Sequence, residues 1–299
     1  MKPNSSDKIF DWSINVFMLI LLFLMIYPLY FTVIASISDP YMVAKGKVTL
    51  WPTGFTLNSY KQVFAYSQIW VGYKNTLFYT IFGTLFNLFL TIPAAYGLSK
   101  KSLPGRSLIT LFFVFTMYFS GGMVPTYLLV KDLGLINTPY VLVILGGISV
   151  YNMVITRVYF AGISDSIYEA ARIDGASEFR IFIRITLPLA IPIIAVISLY
   201  YAVSHWNSYF NAMLYVTKTD LEPLQSVLRK VLILNENALN EQIMQEISGD
   251  ELIDRAKRAY AAYTMRFSMV FIASAPLLIA YPFIQKHFVK GIMIGSLKG

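Results

Sequence analysis

The chain has no cysteine, which excludes disulfides, thiol catalysis and cysteine-ligated metal. It has only two histidines, His205 and His287, far apart in sequence, so no histidine cluster suggests a metal site. It is also poor in charge. Asp, Glu, Lys and Arg make up 13% of 299 residues, about half the roughly 25% of a soluble domain. What replaces charge is apolar: 57% hydrophobic residues and a mean hydropathy of +0.60. A soluble fold cannot hide that much apolar surface, because much of any folded surface still faces water. A soluble enzyme, a disordered tail and a fibrous repeat are thereby excluded, and an integral membrane protein remains. The net charge of +8 would suggest nucleic acid in a soluble chain. Here basic residues serve instead to hold loops on the cytoplasmic side, and no nucleic-acid partner is expected.

Six windows lack Asp, Glu, Lys and Arg: 12–38, 75–99, 107–130, 133–156, 185–217 and 267–285. Each has the roughly 20 residues that a helix needs to cross a hydrocarbon core about 30 Å thick. Barrel strands would alternate polar and apolar over about 10 residues, and these windows are apolar all round. The expectation is a single all-α membrane domain of six transmembrane helices. The first window is too long for the apolar region of a signal peptide. Lys2 and Lys8, the segment "KKSLPGR" (Lys100, Lys101, Arg106), the connection with Arg172, Arg180 and Arg184, and the tail with Lys286, Lys290 and Lys298 fall on one side. That bias predicts a multi-pass protein of a prokaryotic plasma membrane with both termini in the cytoplasm. Two long loops, 39–74 and 218–266, would then be extracellular. The second is rich in charge and reads as a cap or as a docking surface for an extracellular partner.

The windows lack carboxylates. Ion-coupled transporters and intramembrane aspartyl proteases need ionisable groups at depth, and only His205 qualifies. No G-x-x-x-x-G-K-[ST] loop is present, so the chain does not cradle a nucleotide in that manner. If solute moves, its energy comes from another chain.

The connection at 164–188 reads "SDSIYEAARIDGASEFRIFIRITLPLA" from Ser164 onward. Ser166 and Glu169 have the spacing of a capping box. Gly175 suits a left-handed helix end. "SEFRIFIRI" would form a second short helix, and Pro188 and Pro192 stand where a proline is tolerated at a helix start. Ala170, Ala171 and Ala176 would keep one surface low enough for another protein to approach.

This segment resembles the EAA loop of ABC-importer permeases, with Glu169, Ala170, Ala171, Gly175, Ile185, Leu187 and Pro188 at the motif positions. The likeness covers nearly the whole chain. It is to the carbohydrate (MalG-like) type, above all to the LplC/YtcP-like oligosaccharide permeases, through "NTLFYTIFGTLFNLFLTIPAAYGLSKKSLPGR", "SGGMVPTYLLVKDLGLINT", "HWNSYFNAMLYV" and "KGIMIGSLKG". The resemblance implies the type I ABC-importer permease fold with cytoplasmic EAA coupling helices. It implies a second, MalF-like permease as heterodimer partner, two cytoplasmic ABC ATPase subunits and an extracellular solute-binding protein. Cofactors are then absent from this chain, ATP and Mg being bound by the ATPase subunits. Gly295, Ser296, Leu297, Lys298 and Gly299 match the tail that reaches the ATPases. The implied activity is ATP-driven carbohydrate import by alternating access, not enzymatic catalysis.

For a substrate path, Ser204, Asn207, Ser208 and Asn211 recur at three- and four-residue spacing and would share one helix face. Trp206 and Tyr209 flank them, and Asn152, Asn87 and Tyr118 are further polar candidates. A sugar needs hydrogen-bonding groups and flat apolar faces, but the same residues could join helices to one another. Two other readings are an ABC permease for a non-sugar solute and a membrane enzyme acting on lipid-linked sugars. The first would favour charged groups in the spans. The second would need catalytic carboxylates or a histidine cluster.

The six-window topology makes a direct prediction. Cysteines placed at Ser102 and Asn240 in this cysteine-free chain should react with impermeant thiol reagents from opposite sides of the membrane. Labelling of both from outside intact cells would overturn the topology.

Overall fold

A computed structural model describes residues 5–233 and 260–279, together with Pro282. The tail at 295–299, the stretch 234–259 of the second long loop and the end of the sixth window lie outside the described residues. Among those described, the regular structure is helical and no strand is present.

In chain order the helices are α1 Ser5–Ser36, α2 Pro40–Ala44, α3 Asn58–Ala65, α4 Ser67–Ser99, α5 Arg106–Tyr118 and α6 Met123–Asp132. Next come α7 Val141–Ile144, α8 Val150–Ala161, α9 Asp165–Ile173 and α10 Glu178–Ile181. A π-helical stretch, Phe182–Thr186, then leads through α11 Leu187–Leu189 to α12 Ile191–Trp206 and α13 Phe210–Tyr215. Helix α14 spans 224–233 and α15 spans Tyr260–Ile279. The described residues divide into two compact units. One holds those up to Ser67 with those from Leu228 to Ala275; the other holds Gln68–Val227 with those from Pro276 onward.

In the first unit, α1 presents Phe17, Leu19 and Phe23 outward along most of its length, as a helix facing lipid should. Only its end is buried, where Ile34 and Ala35 pack with Val43, Val48 and Phe267. Asp39 caps α2, accepting from the backbone N–H groups of Tyr41 and Met42. A buried hydroxyl pair, Ser59 to Thr264 at 3.0 Å, joins α3 to α15.

The second unit is organised on α4, 33 residues long and so about 50 Å at 1.5 Å per residue. Its buried residues include Gly72, Thr76, Tyr79, Gly83, Asn87, Thr91 and Ala95, at the helical period. The buried seam is thus small and polar, while Leu85 and Phe89 face out. A helix in lipid packs on small residues because tails are as apolar as any side chain.

The apolar windows do not all become straight spans. Lys8–Ser36, Ser67–Ser99 and Tyr260–Ile279 are each long and apolar enough to cross a membrane alone. The window at 107–130 is two helices, α5 and α6, bent by 110°. The chain turns there through Gly122, whose φ of 91° and ψ of 170° are open only to glycine. The window at 133–156 holds α7 and part of α8, and α8 has only 12 residues, about 18 Å. The window at 185–217 bends by 78° between α11 and α12, then leaves the helix at Asn207. Pro188 and Pro192 remove backbone donors across that bend. Hydropathy sums composition and does not register a backbone turn, so these breaks are invisible to it.

The segment after α13 is strapped to the start of α4. Gln68 Nε2 donates to the Thr219 carbonyl, Asn75 Nδ2 to those of Asp220 and Glu222, and Tyr79 Oη to that of Leu221. The Leu224 N–H donates to Thr76 Oγ1 at 2.8 Å. Gly72 admits this approach: a Cβ there would lie 2.9 Å from the Leu224 Cα. Nearby, Asn137, the one non-glycine at positive φ among the described residues, accepts from the N–H groups of Thr217 and Lys218.

Gly72→Val should therefore lower stability by about 1–3 kcal/mol through overpacking. Gly97→Ala, at a helical position with nothing within 4 Å, should be neutral or stabilising by roughly 0.5–1 kcal/mol. Thermal unfolding of the detergent-purified protein checks both; equal midpoints for the two variants would contradict the strap.

Candidate coupling loop and substrate cavity

Helix α9 begins two residues earlier than a Ser166–Glu169 box would require. Its N-cap is Ser164, which makes no side-chain cap bond; Asp165 lies in the first turn. The Ser164 and Ser166 hydroxyls pair with each other at 2.8 Å instead. The expected capping box is not formed, and Glu169 is exposed.

The other end of α9 meets expectation. Gly175 has φ +75°. The Ala176 N–H reaches the Ala171 carbonyl and the Gly175 N–H that of Arg172, each at 3.0 Å, the two bonds of a Schellman end. Open space surrounds the missing Cβ of Gly175, so any side chain would be strained by φ alone.

The turn is held across α10. Arg172 directs Nε and Nη2 onto Glu178 Oε1 at 2.9 and 2.7 Å. That guanidinium hydrogen bond holds the Glu178 carboxyl below its usual range. A lowered carboxylate stabilises at neutral pH, and the contribution is lost as pH falls through the folded-state value. The pair is exposed, so solvent screens it and it orders the turn more than it stabilises the fold. Ser177 Oγ caps α10 through the Arg180 N–H.

Tyr168, Ala171 and Ile181 form a small core with Tyr96, Ile163, Ala176 and Ile185. This corrects the expected low alanine surface: Ala171 is buried, Ala176 is half-buried, and only Ala170 is exposed. The outer surface carries apolar knobs instead, Ile173 at 87% and Phe179 at 73% exposure. Ile185 lies in the π-helical stretch, with Leu187 and Pro188 in α11. The end of the motif is thus the bend that feeds α12.

A cavity of about 700 Å³ lies among α4, α8, α12 and the 145–149 turn. Its hydrogen-bonding wall is Asn87, Ser149, Asn152, Ser204, His205 and Asn211, and its rings are Tyr151, Tyr200 and Tyr201. No Asp, Glu, Lys or Arg lines it. Nor do the described residues hold any metal-binding group of three His, Cys, Asp or Glu.

The wall is tied together through Asn87. Its Nδ2 donates to the carbonyls of Gly146 and Gly147 at 3.1 and 2.9 Å. Both amide hydrogens are thereby used, so Oδ1 must accept, and the 2.6 Å contact to His205 Nε2 assigns that nitrogen its hydrogen. The His205 ring lies against Gly83, where any Cβ would overlap it. Tyr201 Oη accepts from the Ser149 N–H at 3.0 Å and pairs with Thr91 Oγ1 at 2.7 Å. Ser149 in turn caps α8.

Of the residues expected on the path, Asn152, Ser204 and Asn211 line this cavity. Ser204, Asn207, Ser208 and Asn211 do not share a helix face, because α12 ends at Trp206 and α13 starts at Phe210. Asn207 is the helix end, with Nδ2 on the Val203 carbonyl at 3.0 Å. Trp206 is buried, edge-on to Tyr73. Ser208 and Tyr209 sit in the turn, and Tyr118 is exposed. Sequence spacing missed Ser149, Tyr151, Tyr200 and Tyr201. The Gly146–Gly147 pair was the available signal, since consecutive glycines mark a turn.

The sequence profile of the family described as binding-protein-dependent transport system inner membrane component matches residues 69–294. The chain is similar to the polygalacturonan/rhamnogalacturonan transport system permease protein YtcP of Bacillus subtilis (strain 168), 37% identical over 98% of this chain and 99% of YtcP. It is 38% identical to the protein LplC of the same organism, over 92% and 90% of the two chains. Among solved structures it is similar to a chain of a bacterial ABC transporter involved in the import of the acidic polysaccharide alginate. There the TM-score is 0.85 and the identity 32%, covering 96% of this chain and 99% of that one. With the helical fold and the profile match across most of its length, the chain belongs to the binding-protein-dependent transport system inner membrane component family, and is an all-α membrane permease with the type I ABC-importer fold.

Proposed function

We propose that this chain is one permease subunit of an ATP-driven oligosaccharide importer in a bacterial plasma membrane. The observation that carries the reading is the cavity: amides, hydroxyls, the His205 imidazole and tyrosine rings around about 700 Å³, with no Asp, Glu, Lys or Arg in its wall. Hydroxyl-rich rings suit such a wall. Relatives named for polygalacturonan, rhamnogalacturonan and the acidic polysaccharide alginate support a polysaccharide-derived glycan. A wall without Lys or Arg gives this subunit no direct means to prefer a uronate to its neutral counterpart. Discrimination by charge then rests with the solute-binding protein or the second permease.

In this reading, Glu169, Ala170 and Gly175 with the exposed Ile173 and Phe179 form the face that docks a cytoplasmic ATPase subunit. ATP and Mg belong to that subunit. Rocking of the loop passes through the 182–189 bend into α12, which forms one side of the cavity. Both termini lie in the cytoplasm, and the tail at 295–299 reaches the ATPases. The second long loop meets the binding protein.

Two predictions separate coupling from substrate contact. Gly175→Val strains a left-handed turn by roughly 1–3 kcal/mol, and Glu169→Lys reverses the charge offered to the ATPase. Both should abolish labelled-sugar uptake and weaken ATPase pull-down while the two permeases still assemble; wild-type uptake in both would remove the loop's coupling role. Asn211→Ala and Ser204→Ala each remove one hydrogen bond worth about 0.5–1.5 kcal/mol. Uptake should fall roughly two- to tenfold in each, with ATPase attachment and binding-protein affinity unchanged. Undiminished uptake in the double variant would take the sugar out of this cavity.

A further inference from the structure

We propose that a second pocket, where α4 ends, α5 begins and α8 meets α9, holds a phosphate-bearing anion supplied by the headgroup of an acidic membrane lipid. The inference is independent of which solute the permease carries.

The pocket encloses about 280 Å³. Lys100, Lys101, Arg106, Arg157 and Arg172 line it, against Asp165 and Glu169. Two of these cations are matched: Lys101 lies 3.7 Å from Asp165, and Arg172 is bound to Glu178. For Lys100, Arg106 and Arg157, no carboxylate lies within ion-pair distance among the described residues. The Lys100 ammonium sits 3.3 Å from the centre of the Tyr168 ring and 4.5 Å from that of Tyr96. It is held partly out of water, and burial pulls its pKa down. Arg157 is half-buried, and its Nε is fixed on the Leu98 carbonyl at 3.1 Å. Its terminal amino groups remain for another acceptor.

Lys100, Arg106 and Arg157 outnumber the one lining carboxylate without an ion pair, Glu169, so an anion seated among them lowers their mutual repulsion. A phosphate offers several converging acceptor oxygens to guanidinium forks and an ammonium, which a single carboxylate does not. The source of that phosphate is indicated by α5. This helix has no buried residue, and Leu108, Leu111 and Phe112, just beyond Arg106, are exposed at 73, 64 and 66%. Leu111 and Phe112 lie about 8–9 Å along the axis from Arg106. A headgroup in the pocket would lay its acyl chains on that apolar surface.

The test uses the assembled transporter in vesicles of phosphatidylcholine with photoactivatable phosphatidylglycerol, and maps the labelled peptides. Wild type should be labelled between Ser99 and Arg172. Each basic group near an anionic surface contributes about fivefold in binding, so Arg106→Gln with Arg157→Gln should lose roughly 25-fold of that label. Arg157→Lys, which keeps the charge, should lose less. Where the double variant does not assemble, competition in wild type decides: unlabelled phosphatidylglycerol should displace the probe and phosphatidylcholine should not. Equal labelling of wild type and double variant would overturn the site. Retention of radiolabelled inorganic phosphate in pure phosphatidylcholine, without lipid labelling, would overturn the lipid as its source. Loss of the ATPase subunits from the double variant with labelling unchanged would assign these cations to a protein contact instead.

Discussion

A peptide carbonyl inside a membrane has no water to bond with, so every break in a helix at that depth must be answered by the protein itself. Between α7 and α8 the chain leaves the helix, and the carbonyls of Gly146 and Gly147 face Asn87. That single amide satisfies both and passes its remaining acceptor to His205. The cavity depends on this arrangement. Without a break there would be no turn for α4 and α12 to close around; without the amide the break would expose unpaired carbonyls. The Tyr201 hydroxyl repeats the solution one turn away on Ser149 and Thr91. The groups that make the wall polar enough for a hydroxylated solute are thus also the groups that let the backbone be irregular there.

The coupling loop rests on a different constraint. Its first helix lacks the side-chain cap its sequence suggests, and its shape is set from the far end by Gly175, the two backbone bonds around it and the Arg172–Glu178 clamp. Tyr168 and Ala171 point into the protein and fix the helix on Tyr96 of α4. What remains outside is a small set of exposed residues, of which Ile173 and Phe179 are the most exposed large apolar ones. This fits the coupling role proposed for the loop.

The sequence made the helical membrane class plain, because composition alone excludes other classes. It also placed the turn at Gly175, since that depends on neighbours in the chain. The Ser166 box failed because Ser164, two residues earlier, ends the extended approach first. The breaks within the apolar windows were hidden in composition: Gly121–Gly122, Gly146–Gly147 and the pair Pro188 and Pro192 each interrupt a stretch whose mean hydropathy does not change. The cavity was only partly legible. Asn152, Ser204 and Asn211 were recognised as polar groups at depth, yet the assumption of one continuous helix from Ser204 to Asn211 grouped them with Asn207 and Ser208, which lie at the helix end and in the turn. On α4 the usual signal is reversed. The buried seam of Gly72, Thr76, Gly83, Asn87 and Thr91 is more polar than the lipid face, so a search for an apolar stripe points away from the core.

Helix α4 also has a mechanical consequence. At about 50 Å it exceeds a hydrocarbon core of about 30 Å by some 20 Å. Toward one end it carries the strap at Gln68 and Asn75, and near the other it carries Tyr96, against which the 164–188 loop packs. The same rod holds Asn87 and Gly83 between them. A tilt of about 5° around its midpoint would displace each end by about 2 Å, in opposite directions. Under the coupling role proposed for the 164–188 loop, a push on Tyr96 one way would carry the strap near the other end the opposite way, as the two pans of a balance move on one beam.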